Sequence, residues 1–198
     1  MPRLIATTLT VALLATAGCA GGPAPATAPG SAPAATAPAA APGGDVPSSG
    51  IDVLFLSMMV AHTTETLEIV RLGRARVADA ELRTLVAAIE VTEADELATM
   101  RRWLSEAGPS ALAAAAAHDH SGHSDAPRGL ARLRAAPAGQ VDRVLREVLG
   151  AHQRTAADLA RAQVRAGVSE RVRDLARRIE RSRTAEVELM ATPAAARS

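Results

Sequence analysis

The chain has 198 residues, room for one domain with appendages, and 48% of them are apolar while only 1% are aromatic. Its 22 basic and 21 acidic residues leave a net charge of +1, which gives no electrostatic reason to expect nucleic acid as a partner. The single cysteine excludes an intramolecular disulfide. A core so poor in aromatics must be aliphatic and closely packed, which suits helices.

Residues 1–18 read as an export signal. Arg3 is its short positive end, and Leu4 to Ala17 is apolar but too short to span a membrane comfortably. The run Thr16-Ala17-Gly18 before Cys19 resembles a bacterial lipoprotein cleavage site. The resemblance implies that Cys19 becomes the lipidated first residue of the mature protein; the alternative is an ordinary signal peptide cut nearby. Residues 19–48 are mostly Ala, Pro, Gly, Ser and Thr, with Asp45 the only charge, and read as a disordered tether. As a coil it would span roughly 30 Å, and as extended polyproline roughly 95 Å. On the lipoprotein reading the protein is expected in the cell envelope, anchored to the outer face of a bacterial membrane.

The folded domain is expected over 49–192. Its first hairpin, about 51–107, has a helix from Ile51 to Val77 and a second helix capped by Asp79 and stopped at Gly108-Pro109. A histidine-containing loop, 108–139, carries an Ala run and a short helix over Gly129–Ala136. The second hairpin, about 140–191, turns at Gly167, with Ser169 as the next cap.

At helical spacing the first helix presents Ile51, Phe55, Met58, His62, Glu65, Ile69 and Leu72 as a core stripe. The second presents Leu82, Val86, Ile89, Glu93, Glu96, Met100 and Trp103. The third gives Val141, Leu145, Val148, His152, Thr155 and Leu159, and the fourth Val172, Ala176, Ile179, Arg183, Glu186 and Met190. Each stripe is apolar at its ends and polar in its middle.

Setting residue 52 over residue 142 aligns the hairpins without a gap. Asp52 falls on Asp142, Ala61 on Ala151, His62 on His152, Arg71 on Arg161, Glu90 on Glu180, Glu96 on Glu186 and Met100 on Met190. One hairpin cannot bury its own stripe, so the expected fold is all-α: an antiparallel four-helix, ferritin-like bundle made of two repeated hairpins. Folding each hairpin at its turn brings His62, Glu65, Glu93, Glu96, His152, Thr155, Arg183 and Glu186 to one level.

Burying such groups costs several kcal/mol unless each finds a partner or a metal. Two readings of the layer stay open. In one, His62, His152 and two or more of Glu65, Glu93, Glu96 and Glu186 hold one ion, copper or another divalent metal. In the other, Arg183 and the histidines neutralise the glutamates in a structural network that fixes register. Arg183 puts a fixed charge where a second cation would sit, which weighs against an oxygen-activating di-iron enzyme. A second constellation, His118, His120 and His123 with Asp119 and Asp125, offers imidazole ligands on the loop. No phosphate-binding Gly loop, zinc-protease motif or nucleophilic triad is present, so no enzyme activity is expected. The alternative to metal binding is a non-catalytic bundle that presents a surface to another envelope protein, with Leu54, Val70 and Leu97 as candidates for an exposed apolar patch.

Phe55-Leu-Ser-Met58-Met59-Val-Ala61-His62, with Glu81-Leu82-Arg83 and Glu96-Leu97-x-x-Met100-x-x-Trp103-Leu104, resembles the bacterial family called domain of unknown function 305. The resemblance covers roughly Ile51 to Met190, and Leu130 to Ala162 matches the start of a second copy. It implies a secreted, ferritin-like protein of one or two hairpin copies, with a link to copper binding or tolerance. The family signature is Met-x-x-His-His. Here its first histidine is Ala61 in one copy and Ala151 in the other, and its Met is Met58 but Val148. A later family Met is Glu68 and Asp158, and a family Gln on the second helix is Glu93 and Arg183. Harder carboxylates thus stand where the family has softer groups.

Overall fold

A computed structural model describes residues 50–116 and 124–191 of the chain. Among these residues the fold is all-helical. Helix α1 spans Gly50–Arg74, α2 Ala80–Glu106, α3 Pro109–Ala116, α4 Ala126–Ala135, α5 Val141–Ala166 and α6 Glu170–Ala191, with one 3₁₀ turn at Ala138–Gln140 leading into α5.

Local chemistry sets the helix ends. Asp52 stands in the first turn of α1 and Arg71 and Arg74 in its last, each complementing the helix dipole. Asp79 caps α2 as expected: its Oδ1 accepts the Leu82 N–H at 3.0 Å. Gly108 follows α2 with φ 84°, a left-handed conformation that costs a side-chain-bearing residue about 1–2 kcal/mol. Pro109, expected only to end a helix, also opens α3, where its missing N–H costs nothing.

Helices α1 and α2 form one hairpin and α5 and α6 the other; α1 also packs on α5, and α4 lies against both α1 and α5. A Cβ placed on Gly73 would come within 2.6 Å of Leu145, so this glycine lets α1 approach α5. Helix α6 reaches α2 through long side chains. Arg171 bonds Glu106 at 2.9 Å and lies over the Trp103 ring at 4.7 Å, and Arg183 reaches Glu93 and Glu96.

Most of the buried apolar residues fall into two clusters. One joins Ile69, Val70, Val86, Ile89, Leu130, Leu133, Leu145 and Leu149, with α4 contributing to it. The other joins Phe55, Leu56, Met59, Met100, Leu104, Leu175 and Ile179. Along each long helix a set of buried polar groups stands between them: His62, Thr63 and Thr66, then Glu93, then His152 and Gln153, then Arg183 and Glu186.

All six residues of the α6 stripe are buried. The α1 stripe is displaced by one position. Ile51 is 41% exposed while Asp52 is fully buried, and Met58, Glu65 and Leu72 are only half-buried. The centre of the α1 core face is Leu56, Met59, Thr63, Thr66 and Val70, so His62 and Glu65 stand at its edge. On α2, Leu97 takes the interior place expected of Glu96, which is half-buried. Val70 and Leu97 are therefore core, not an exposed patch; each fills the interior because the true buried face runs through it. Thr155 is exposed and outside the polar layer.

Candidate metal centre

The polar layer divides into two networks. The first lies where α1 meets α5. The rings of His62 and His152 are stacked, with centroids 3.7 Å apart and planes 7° from parallel. His62 Nε2 donates to the His152 carbonyl at 3.1 Å, and His152 Nε2 donates to the His62 carbonyl at 3.2 Å. The other His152 nitrogen, Nδ1, lies 3.0 Å from Asp125 Oδ1. Burial, with the nearby His152 as the next cause, pushes His62 down to about 3, so its ring is neutral at physiological pH.

Glu65, one turn beyond His62, turns toward the same place. Its Oε2 accepts the Ser124 hydroxyl at 2.7 Å, and that hydroxyl oxygen in turn accepts the Ala126 N–H at the start of α4 at 3.1 Å. Ligand atoms of His62, Glu65 and His152 lie within 4.8 Å of one another. A cleft of about 290 Å³ opens beside them, lined by Met58, Ala61, His62, Glu65, Ser124, Thr155 and Leu159. Two imidazoles and a carboxylate suit a single divalent transition-metal ion, so the residue types fit one.

The second network surrounds Arg183, which is fully buried. Its guanidinium contacts Glu93 at 3.3 Å, Glu186 at 3.4 Å and, more closely, Glu96. Gln153 Nε2 donates to both Glu93 and Glu186 at 2.6 Å, and Ser182 donates to Glu186 at 2.7 Å. Burial pushes Glu93 up to about 7, against the pull of Arg183 and Gln153, and raises Glu186 for the same reason. Burial works against the Arg183 charge too, but the three carboxylates outweigh it and its pKa is raised. Glu93, Glu96 and Glu186, grouped in the sequence with the histidines as candidate ligands, thus gather instead around a permanent cation. Helical spacing put all of them at one level; which helices touch there separated them.

Ser124 and Gln153 are the site residues that sequence patterning missed. Neither lies on a stripe; the one sequence signal for Ser124 is its place directly after His123. His118, His120, His123 and Cys19 lie outside the described residues.

The sequence model of a domain of unknown function, DUF305, matches residues 52–193. The chain belongs to the DUF305 family. A DUF305 fragment from Deinococcus radiodurans has a similar crystal structure, with TM-score 0.62 and 19% identity over 73% of this chain and 95% of that one. So does a chain described as a "putative secreted protein DUF305" from Streptomyces coelicolor, with TM-score 0.61 and 23% identity over 71% of this chain and 88% of that one. At these identities the likeness is one of fold. No curated protein matches the chain.

Proposed function

We propose that this DUF305 chain is an exported, membrane-tethered envelope protein that binds one metal ion, copper or a related divalent metal, for buffering or tolerance. The observation that carries the reading is the convergence of His62, Glu65 and His152 within 4.8 Å beside an open cleft. A neutral His62 supports it, because a metal needs an unprotonated imidazole. Met58 on the cleft wall adds a thioether, a softer donor that favours copper over magnesium or calcium. His118, His120 and His123 precede Ser124 directly in the sequence, and the proposal extends to them as accessory ligands.

Export rests on the N-terminal segment, with a lipid on Cys19 as the anchor. The fold we propose is an antiparallel, ferritin-like four-helix bundle of two repeated hairpins. It is supported by contacts that recur at an offset of 90 residues: Arg71 with Glu90 at 3.2 Å and Arg161 with Glu180 at 2.9 Å.

The second reading, a non-catalytic partner-binding bundle, draws on the Arg183 network, whose carboxylates already have a cation and side-chain donors as partners. That network is structural under both readings. The test is metal content of the full chain in detergent after loading with copper or zinc and desalting, beside a variant with His118, His120 and His123 changed to Ala. About one ion retained in both assigns binding to the cleft. Retention in the parent alone moves it to the loop. None in either overturns the metal reading.

A further inference from the structure

His62 and His152 are equivalent at the 90-residue offset, yet their hydrogen bonds differ. The His62 Nε2 faces a carbonyl, so it carries the hydrogen and leaves the lone pair on Nδ1. That Nδ1 has no hydrogen-bond partner among the described residues, and His62 lines the cleft. His152 has an acceptor at each ring nitrogen: the His62 carbonyl at Nε2 and Asp125 at Nδ1. Both of its ring nitrogens are thus engaged with protein oxygens, whereas among the described residues only one of His62's is.

Ring geometry leads to the same division. An ion lies in the plane of the imidazole that binds it, about 2 Å from the nitrogen. Two rings stacked at 3.7 Å, with planes 7° from parallel, cannot both hold one ion in this way. His152 is near the site without being aimed at it.

The contacts around His152 and Glu65 come from one place, the start of α4. Asp125 holds the His152 ring, and Ser124 holds Glu65 Oε2, leaving Oε1 without a partner among the described residues. Helix α4 is itself seated tightly: a Cβ on Gly129 would come within 2.6 Å of Val148. In the other hairpin the position equivalent to Glu65 is Thr155, whose hydroxyl is not a comparable ligand.

Building on the metal reading above, we infer that the two histidines have separate roles. His62 Nδ1 and Glu65 Oε1 are the protein ligands at the cleft, while His152, Asp125 and Ser124 are positioning residues. The His152 carbonyl fixes the His62 tautomer, its ring backs the His62 ring, and the Ser124-Asp125 pair fixes Glu65 and His152. The ligand taken is a single copper-type ion with open positions toward the cleft.

The test uses the full chain with His118, His120 and His123 changed to Ala, and Cu(II) alone as the probe. Affinity is measured by competition with a chelator, and the number of bound imidazole nitrogens by electron paramagnetic resonance. The inference expects one nitrogen in this background. His62→Ala removes binding. His152→Gln and Asp125→Asn keep the one-nitrogen spectrum and lose roughly 10–100-fold in affinity, the usual range for groups that orient a ligand. Asp125→Asn leaves both rings in place and so keeps the test open if His152→Gln fails to fold. A two-nitrogen spectrum that drops to one in His152→Gln makes His152 a ligand and overturns the division of roles. A background protein that holds no copper takes the metal site away from the cleft, a result distinct from either spectrum.

Discussion

Asp52 and Asp142 each receive the turn of the other's hairpin. Asp142 Oδ1 and Oδ2 accept the Ala78 and Asp79 N–H groups at 2.9 and 3.0 Å. Asp52 Oδ1 and Oδ2 accept those of Val168 and Ser169, both at 3.1 Å. The donors, like the acceptors, are 90 residues apart. Each hairpin turn is thus closed by the partner hairpin, and this exchange fixes how the two halves meet.

Replacing either aspartate leaves two turn amides without an acceptor. Asp52 is fully buried and also takes the Gln163 side chain at 2.6 Å, whereas Asp142 is half-buried. Asp52→Ala should cost about 3 kcal/mol and Asp142→Ala about 1–2 kcal/mol, from the cost of unsatisfied donors. The two sites share none of the partners given above, so the double variant should lose close to the sum. Urea denaturation of all three variants measures this. A double loss well below the sum would mean that the two turns do not act independently.

Arg183 is the cation on which three carboxylates depend, those of Glu93 and Glu186 buried and that of Glu96 half-buried. Arg183→Met should destabilise the fold by roughly 3–5 kcal/mol, because it leaves buried charge uncompensated. Adding Glu93→Gln and Glu96→Gln should recover much of that loss. If Arg183→Met alone were neutral in urea melts, the network would not be holding α6 against α2.

Much of this was legible in the sequence, and the failures have physical reasons. The α6 stripe came through whole because its six positions are all interior and evenly spaced. On α1 the apolar pattern pointed to Ile51, but the interior position is Asp52, buried because the turn amides of the other hairpin need its carboxylate. Hydrophobic periodicity cannot register a buried acid of that kind. The level of the polar layer followed from hairpin geometry alone. Its division into a histidine pair and an arginine cluster did not, since it depends on α1 lying against α5 while Arg183 reaches across to α2. The positions of Ser124 and Asp125 depend on how α4 docks, which no helical period encodes.

Glu93 gives the fold a pH dependence of definite sign. Its carboxyl is raised from 4.5 to about 7, chiefly by burial. Between those values the folded state holds the proton that the unfolded state releases. The stability that Glu93 contributes is therefore complete below pH 4.5 and declines as pH rises through 7. Glu93→Gln removes this dependence without changing the shape of the side chain. Relative to the parent, the variant should gain about 3 kcal/mol between pH 4.5 and pH 8. Urea midpoints at the two pH values test it; a parent–variant difference that does not change with pH would show that Glu93 does not titrate in this range.

Acid should separate the cleft from the histidine loop as metal sites. An ordinary histidine, with a pKa near 6.5, is mostly protonated by about pH 5 and gives up its metal. His62 is held neutral down to about 3 because its ring is buried and stacked on His152. Copper bound through His62 should therefore remain at pH 5, while copper bound only through ordinary histidines is released. Dialysis of the copper-loaded chain at pH 7 and pH 5, followed by metal analysis, distinguishes them. The His118→Ala, His120→Ala, His123→Ala variant should hold the same amount of copper at both pH values, and the parent should lose only what exceeds it. Complete loss from both proteins at pH 5 would remove His62 from the ligand set, because no proton competes for its Nδ1 in that range.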